Sequence, residues 1–201
     1  MEGILIRPAR PADAADIAHH ILLSAPAFLP AVFGPQIAAT LEALAGGTGT
    51  LFSHEHAFVA EEGGRALGTI LGYTGTEKAT QDPRTGFFLL RCLGLDMVRR
   101  LGTLLRMQSA IGRMDREEYY ISNVAVLPER RGHGVGARLI AAARREAERR
   151  GARAMILDVE TDNPGARRLY ERLGFRAASR TPEIEIGGRS FAFLRMSLSL
   201  E

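Results

Sequence analysis

Three scarcities frame this 201-residue chain: one cysteine, one lysine and no long uncharged apolar run. A lone Cys92 excludes an intramolecular disulfide framework and a multi-cysteine zinc site. Cys92 is expected as a small buried hydrophobe, and the count fits a reducing, cytoplasmic setting. Of the 26 lysines and arginines only Lys78 is a lysine. Arginine suits phosphate binding because its planar fork bonds two oxygens at once, although the same excess follows from a bias in genome composition. The formal net charge is only +3, and basic residues alternate with acids in most segments. No nucleic-acid surface is therefore expected. The opening residues 1–7 lack the apolar core of a signal peptide. The best membrane candidate, 86–107, carries Arg91, Asp96, Arg99, Arg100 and Arg106, so no membrane span is expected either. His19-His20 and His54-x-His56 lack a partner cluster, so no metal site is predicted.

What is present suits a folded domain. The chain is 46% hydrophobic, and at this length a chain buries roughly 70% of its unfolded surface. The reading is one domain over 1–201 with a helical insertion at about 74–116. A strand at 4–7 leads to a proline-started helix from Pro11, with acids in its first turns. Phe33-Gly34-Pro35 breaks the chain before a second helix at 36–44. Strands at 57–61 and 66–73 flank Glu62-Gly63-Gly64 as a hairpin. The insertion opens polar, then turns helical with an apolar stripe at Leu89, Leu90, Leu93, Met97, Leu101, Leu104 and Leu105. A strand at 119–127, a strongly amphipathic helix at 135–150, a buried-type strand at 154–160 and a helix from Asn163 to Gly174 follow. Two strands, 177–186 and 189–198, close the chain around Gly187-Gly188. This order predicts an α/β fold with a mixed sheet and helices on its faces.

The chemistry concentrates at Val124-Ala-Val-Leu-Pro-Glu-Arg-Arg-Gly-His-Gly-Val-Gly136. A buried strand feeds a short loop that opens a helix, whose first turn has unpaired N–H groups and the positive end of the dipole. Gly132, Gly134 and Gly136 remove side chains that would hold an anion away, and a phosphate or pyrophosphate fits there. Arg130 and Arg131 add positive charge. A dinucleotide fingerprint needs Gly-x-Gly-x-x-Gly and a P-loop needs Gly-Lys-Ser/Thr; neither is present. Taken alone, the run is as compatible with a glycine-rich turn that binds nothing.

A second run changes that balance. Arg131-x-x-Gly134-x-Gly136 resembles the Gln/Arg-x-x-Gly-x-Gly/Ala signature of the GNAT superfamily of N-acetyltransferases. Asn163-Pro-Gly-Ala-Arg-Arg-Leu-Tyr-Glu-Arg-Leu-Gly-Phe175 resembles that family's Asn-x-x-Ala-x-x-x-Tyr-x-x-x-Gly-Phe element. The start, Ile6-Arg-Pro-Ala-Arg-Pro-Ala-Asp13, is similar to its first strand and helix. The resemblance is clear over about 119–176. It implies the acyl-CoA N-acyltransferase fold, with a mixed, mostly antiparallel central sheet flanked by helices. It also implies acetyl-CoA as co-substrate, bound in a V-shaped gap between the strands at 119–127 and 154–160. By the same resemblance Val124, Ala125 and Val126 form the binding strand, and the backbone of Val124 and Val126 pairs with pantetheine. The loop Arg131, Gly132, His133, Gly134, Val135 and Gly136 holds the pyrophosphate, with His133 either in solvent or on the nucleotide end. Asn163 touches the pantetheine or acetyl end, with Ala166 in the same binding set. Tyr170 is the general acid beside the thioester sulfur.

Elementary chemistry agrees with that assignment. A thioester needs no covalent help once a neutral amine is held close and oriented, and a phenol can protonate the leaving thiolate. A backbone N–H near Val124 suits the oxyanion. The base is less determined. Period-two counting from Val124 puts Ser122, Tyr120 and Glu118 on one face and turns Asn123 away. Glu118 is the candidate base, with Ser122 or Tyr120 holding a water; it reads equally as a solvated acid at a strand start. The expected partner is a small-molecule or protein amine, of unspecified identity. The apolar stripe of 86–107 leaves room for a homodimer or a substrate-side lid. Two rivals stay open: a non-catalytic acyl-CoA-binding or sensing module on the same fold, and a nucleotide-binding regulatory domain.

Overall fold

A computed structural model of the chain describes residues 3–94, Gly102 and residues 114–200. In chain order the strands are β1 (Leu5–Pro8), β2 (Ala57–Glu62), β3 (Arg65–Thr74), β4 (Glu118–Val126), β5 (Ala154–Glu160), β6 (Arg176–Arg180), β7 (Ile184–Ile186), β8 (Arg189–Phe191) and β9 (Phe193–Ser199). The helices are α1 (Ala14–Ser24), α2 (Phe28–Phe33), α3 (Ile37–Gly46), α4 (Gly75–Leu93), α5 (Val135–Arg149) and α6 (Pro164–Arg172). Seven strands form one sheet in the order β1-β2-β3-β4-β5-β9-β6. Every neighbouring pair is antiparallel except β4 and β5. That one parallel pair requires a crossover, and α5 supplies it. The mixed sheet expected from the element order forms, with the mostly antiparallel pairing that the family resemblance implies.

Each face of the sheet has its own core. On one, α5 lays Leu139, Ile140, Ala143 and Ala147 against Tyr119, Ile121, Met155 and Leu157, with Tyr170 and Phe175 of the α6 region beside them. On the other, α1, α3 and α4 pack Ile17, Ile21, Leu41, Leu44 and Leu89 against Leu71 and Tyr73. The N-terminal motif has a structural role. The Arg7 guanidinium donates to both oxygens of Asp13 at 2.7 and 2.8 Å and to Glu61 at 2.7 Å. Asp13 also accepts from the Arg10 N–H at 2.7 Å. One guanidinium thus ties β1 to β2 and to the turn that starts α1, and it holds the Asp13 carboxyl below its ordinary range.

Four expectations need correction. The stretch opening the insertion is helical from its start: Thr74 Oγ1 accepts from the Glu77 N–H at 3.2 Å, and the Glu77 carboxylate accepts from the Thr74 N–H at 2.8 Å. This reciprocal cap starts α4 despite its polar sequence. Along the stripe Leu89 is buried and Leu93 half-buried, but Leu90 is exposed; Met97, Leu101, Leu104 and Leu105 lie outside the described residues. Cys92 is exposed, not buried, because Leu89 and Leu93, four apart, take the inward face of the last turn. Helix α2 was not expected: the sequence reading places no element between the first helix and the break at Phe33-Gly34-Pro35. Pro30 falls in the first turn, where its missing N–H is not needed.

The terminal hairpin is the fourth. Its outer ends, β6 and β9, pair in the main sheet with β9 inserted beside β5, while its inner ends, β7 and β8, form a separate two-stranded sheet. Pro182 lacks the N–H a continuous ladder requires. The break is closed by the Thr181 N–H donating to the Phe193 carbonyl and the Phe193 N–H donating to Thr181 Oγ1, both at 2.9 Å. The freed β7–β8 hairpin packs Ile184, Ile186 and Phe191 against Phe28 and Val32 of α2.

Candidate active site

Strands β4 and β5 pair from Glu118 opposite Ala154 to Ile121 opposite Leu157, and no further. The separation begins at a bulge. On the other edge of β4, Ile121 lies opposite Gly72 and Asn123 opposite Leu71, which leaves Ser122 without a partner. A bulge bends its strand and increases the twist, so β4 turns away from β5 and opens a gap between Ser122–Val126 and Asp158–Glu160. The bulge also resets the alternation of side chains. Tyr119 and Ile121 belong to the α5 face, and past the bulge Val124 and Val126 do. Tyr120 packs on the α1 face. The single-face row Glu118, Tyr120, Ser122, Val124 is therefore broken. Asn123, expected to point away, lines the cavity and donates to Ser24 Oγ at 2.8 Å.

At the outer end of the gap the glycines divide their work. Gly132 and Gly134 have φ of 81° and 77°, a region that costs other residues energy. At both, a side chain would meet no atom within 4 Å, so backbone conformation rather than room demands glycine. Gly136 is ordinary helix, but a Cβ there would come within 3.2 Å of Leu169 Cδ2; it permits the close approach of α5 and α6. Gly134 caps α5 without a side-chain bond, so the N–H groups of the first turn are left facing outward with the positive end of the dipole. The arginines are otherwise engaged: Arg130 pairs with Glu62, and Arg131 Nε donates to the Val126 carbonyl at 3.2 Å. The His133 ring contacts the Arg131 carbonyl at 2.9 Å. An anion at this loop would meet backbone N–H groups first. Ala125 is buried opposite Thr69.

The gap leads inward to a cavity of about 520 Å³. Val124, Asn163, Ala166 and Tyr170 line its near side. Asn163 Oδ1 accepts from the Ala166 N–H at 3.1 Å and so starts α6. Tyr170 is buried, and burial pushes its hydroxyl up to about 12; it is a neutral proton donor throughout the physiological range. The floor carries a fork of Arg195 on Asp158, at 3.0 and 2.8 Å. Tyr120, Tyr73 and Ser122 line the cavity beside them. Lys78 and Asp82 pair on α4. Glu160 lies past the point where β5 leaves β4. One of its carboxylate oxygens is buried with no hydrogen-bond partner among the described residues. Burial, then the neighbouring Asp162, raise its pKa.

Glu118 is not among the lining residues. It sits at the paired end of β4 and accepts from the Asp115 N–H at 2.7 Å. The structure thus gathers Val124, Asn163, Ala166 and Tyr170 at one cavity, with the glycine loop at the mouth of the gap, and leaves Glu118 outside. The sequence reading missed Asp158, Glu160 and Arg195. The alternation in 154–160 marks the two acids, but nothing in it identifies Arg195 as the partner across β9. Among the described residues no group of three His, Cys, Asp or Glu side chains is placed to hold a metal, and no helix is long and apolar enough to cross a membrane.

Such a site, a helix start with outward N–H groups joined by a strand gap to a cavity with a buried phenol and a raised carboxyl, has the parts that transfer from a phosphate-bearing acyl carrier needs. Comparison with known proteins agrees. The model of the acetyltransferase (GNAT) family matches residues 29–175. N-alpha-acetyltransferase 30 of Schizosaccharomyces pombe is 35% identical over 83 residues, which are 41% of this chain and 55% of that protein. The acetyltransferase Atu2258 of Agrobacterium fabrum is 34% identical over 105 residues, 49% of this chain and 74% of that protein. The matched stretch thus spans about half of the yeast relative. The structure of yncA from Salmonella typhimurium, titled a putative acetyltransferase with its cofactor acetyl-CoA, superposes with a TM-score of 0.63 at 21% identity, over 99% of this chain and 95% of that one. The chain belongs to the GNAT acetyltransferase family.

Proposed function

We propose that this protein transfers the acetyl group of acetyl-CoA to an amine by direct attack. The observation that carries the reading is the opening of β4 from β5 after Ile121 and Leu157, with the Gly132–Gly134 loop at one end and Tyr170 at the other. The Salmonella relative is titled as holding acetyl-CoA, and the yeast relative is named for acetylation of α-amines. The unpaired edge of Val124, Ala125 and Val126 receives the pantetheine arm as an added strand. The N–H groups from Arg131 to Gly136 take the pyrophosphate, and Asn163 and Ala166 border the thioester end.

Glu160, in place of Glu118, removes the proton from the incoming ammonium. It lines the cavity, and a raised carboxyl is a better base near neutrality than an ordinary one. The neutral nitrogen then forms the C–N bond as the C–S bond breaks, the Tyr170 hydroxyl delivers its proton to the departing thiolate, and the second proton, shed by the new amide nitrogen, returns Tyr170 to its neutral form. The test follows thiol release from acetyl-CoA across amines, alongside thermal shift with CoA. Turnover and a rise in melting temperature are expected. No stabilisation at high excess of CoA would sink the reading. Intact CoA binding with no turnover of any amine would make the protein an acyl-CoA sensor.

A further inference from the structure

The far side of the cavity is set by chain segments that the acetyl-CoA motifs do not touch. Phe28, Leu29 and Phe33 of α2, Phe52 before β2, Leu89 of α4 and Phe193 of β9 present apolar surface to it. This wall is fixed in place. Phe28 meets Phe193 and Phe191 edge-on, with ring centroids 4.9 and 5.2 Å apart and interplanar angles of 71° and 70°. The β7–β8 hairpin backs it from outside. Aromatic pairs of this geometry add to what area burial alone supplies.

The charges lining the same space are nearly cancelled. Asp158 is forked by Arg195, and Lys78 is paired with Asp82. Among the described lining residues, Glu160 is the carboxylate that carries a buried oxygen without a partner. Among the described residues that line the space, Glu160 is therefore the acid without a countercharge, set in apolar, aromatic surroundings with Asp162 beside it. An acceptor with two or more ammonium groups would bring an unmatched positive charge against the phenylalanines, and burying an unpaired charge is strongly disfavoured. An acceptor with a free carboxylate would need a free cation, and among the described lining residues both cations, Arg195 and Lys78, are engaged.

Resting on the acetyltransferase reading above, we infer that the acceptor is a small monoamine whose single ammonium sits on a compact apolar body of aromatic-ring size. Its ring lies against Phe28 and Phe33, and its nitrogen points at Glu160 and the Tyr170 end of the gap. Free amino acids, polyamines and aminoglycoside-like polycations are poor acceptors for the reasons of charge just given.

The experiment compares phenethylamine, spermidine, L-phenylalanine, kanamycin and a short peptide with N-terminal phenylalanine, each with acetyl-CoA, by thiol release. Phenethylamine is expected to exceed the others in kcat/KM by about 100-fold, a difference of ~2.7 kcal/mol in transition-state binding. Phe33→Ala, at a half-buried position, and Phe28→Ala, whose folding is checked by melting, are expected to lower kcat/KM for phenethylamine about tenfold and leave the KM of acetyl-CoA unchanged. Spermidine, L-phenylalanine or the peptide turning over as well as phenethylamine would overturn the assignment and leave the transferase standing. If no amine turns over, calorimetry of phenethylamine on the CoA complex decides separately: binding upholds the cavity reading while the transferase falls, and absence of binding overturns it.

Discussion

The two ends of the β4–β5 gap are built by different means. The outer end and the near side of the cavity are local: Val124 to Gly136 and Asn163 to Tyr170 supply them, and their shape rests on residues with few substitutes. Gly134 is held at φ 77°, and Asn163 caps α6 with its side chain. The inner end is assembled from α2, α4, β5 and β9, which meet only in the folded chain, and its wall consists of ordinary apolar side chains. Conformation-bound residues fail sharply when replaced, whereas an apolar wall loses function in proportion to the area removed. The outer end is therefore expected to break at single positions and the inner end to weaken by degrees.

The sharpest break is expected at Gly134→Val. A β-branched residue in the left-handed region costs about 1–2 kcal/mol, so the loop would relax away from φ 77° and carry the outward N–H groups of α5 out of place. The dissociation constant for CoA should rise by about 100-fold or more, read by calorimetry, with the fold retained by melting. Gly136→Ala supplies the contrast, since its Cβ meets only side-chain atoms, Leu169 Cδ2 at 3.2 Å and Val126 Cγ2 at 3.8 Å. That variant should cost about 1 kcal/mol of stability and little CoA affinity. If Gly136→Ala harms CoA binding more than Gly134→Val, the division of labour among the three glycines is wrong.

Next in size is the chemistry where the two ends meet. Tyr170→Phe should lower kcat about 100-fold at unchanged CoA affinity, and undiminished turnover would remove Tyr170 as the acid. Because burial pushes its hydroxyl up to about 12, no alkaline loss of activity should come from this residue below about pH 10. The acid side is assigned to Glu160 by the proposed mechanism. Its pKa is raised, and with its charged form as the proposed base, activity should fall as pH drops through a value above the ordinary carboxylate range. Glu160→Gln should lower the rate and erase that limb of the kcat/KM profile. A limb unchanged in Glu160→Gln would return the base to another residue.

What was legible before folding follows the same division. The outer end could be read from contiguous residues, because positive-φ glycines, an asparagine cap and a strand-to-helix switch each announce themselves within a few positions. Sheet class and the helix at 135–150 were legible too, from periodicity. Which strand residues face the cavity was not, since counting by two assumes an unbroken strand. Ser122 has no partner on β3, and that single extra residue moved Tyr120 and Asn123 to faces the count did not give them. The acceptor wall was hidden for another reason: Phe28 and Phe193 are 165 positions apart in sequence yet 4.9 Å apart between rings, and Pro182 had to split a predicted hairpin before β7–β8 could reach α2.

The smallest effect concerns the sheet face on the acceptor side. His20 of α1 is 1% exposed, and neither ring nitrogen has a hydrogen-bond partner among the described residues. Burial first, then the neighbouring His19, pull its pKa down to about 4, against a small opposing pull from Asp16. An unfolded histidine titrates near 6.5, so between these values the unfolded chain binds a proton that the folded chain refuses. Stability from this residue is complete above about pH 6.5, declines as pH falls, and is fully lost below about 4. The full shift would be worth about 3 kcal/mol, and relaxation around the helix reduces the expected loss to about 1–2 kcal/mol. His20→Leu should flatten this part of the profile, so that denaturant unfolding at pH 7 and pH 4.5 differs less in the variant than in the parent. The α5 face, whose core holds no histidine among the described residues, should keep its amide protection in mild acid longer than α1 does. Equal loss of protection on both faces, or an identical pH slope in His20→Leu, would show that acid does not distinguish the two sides of the sheet.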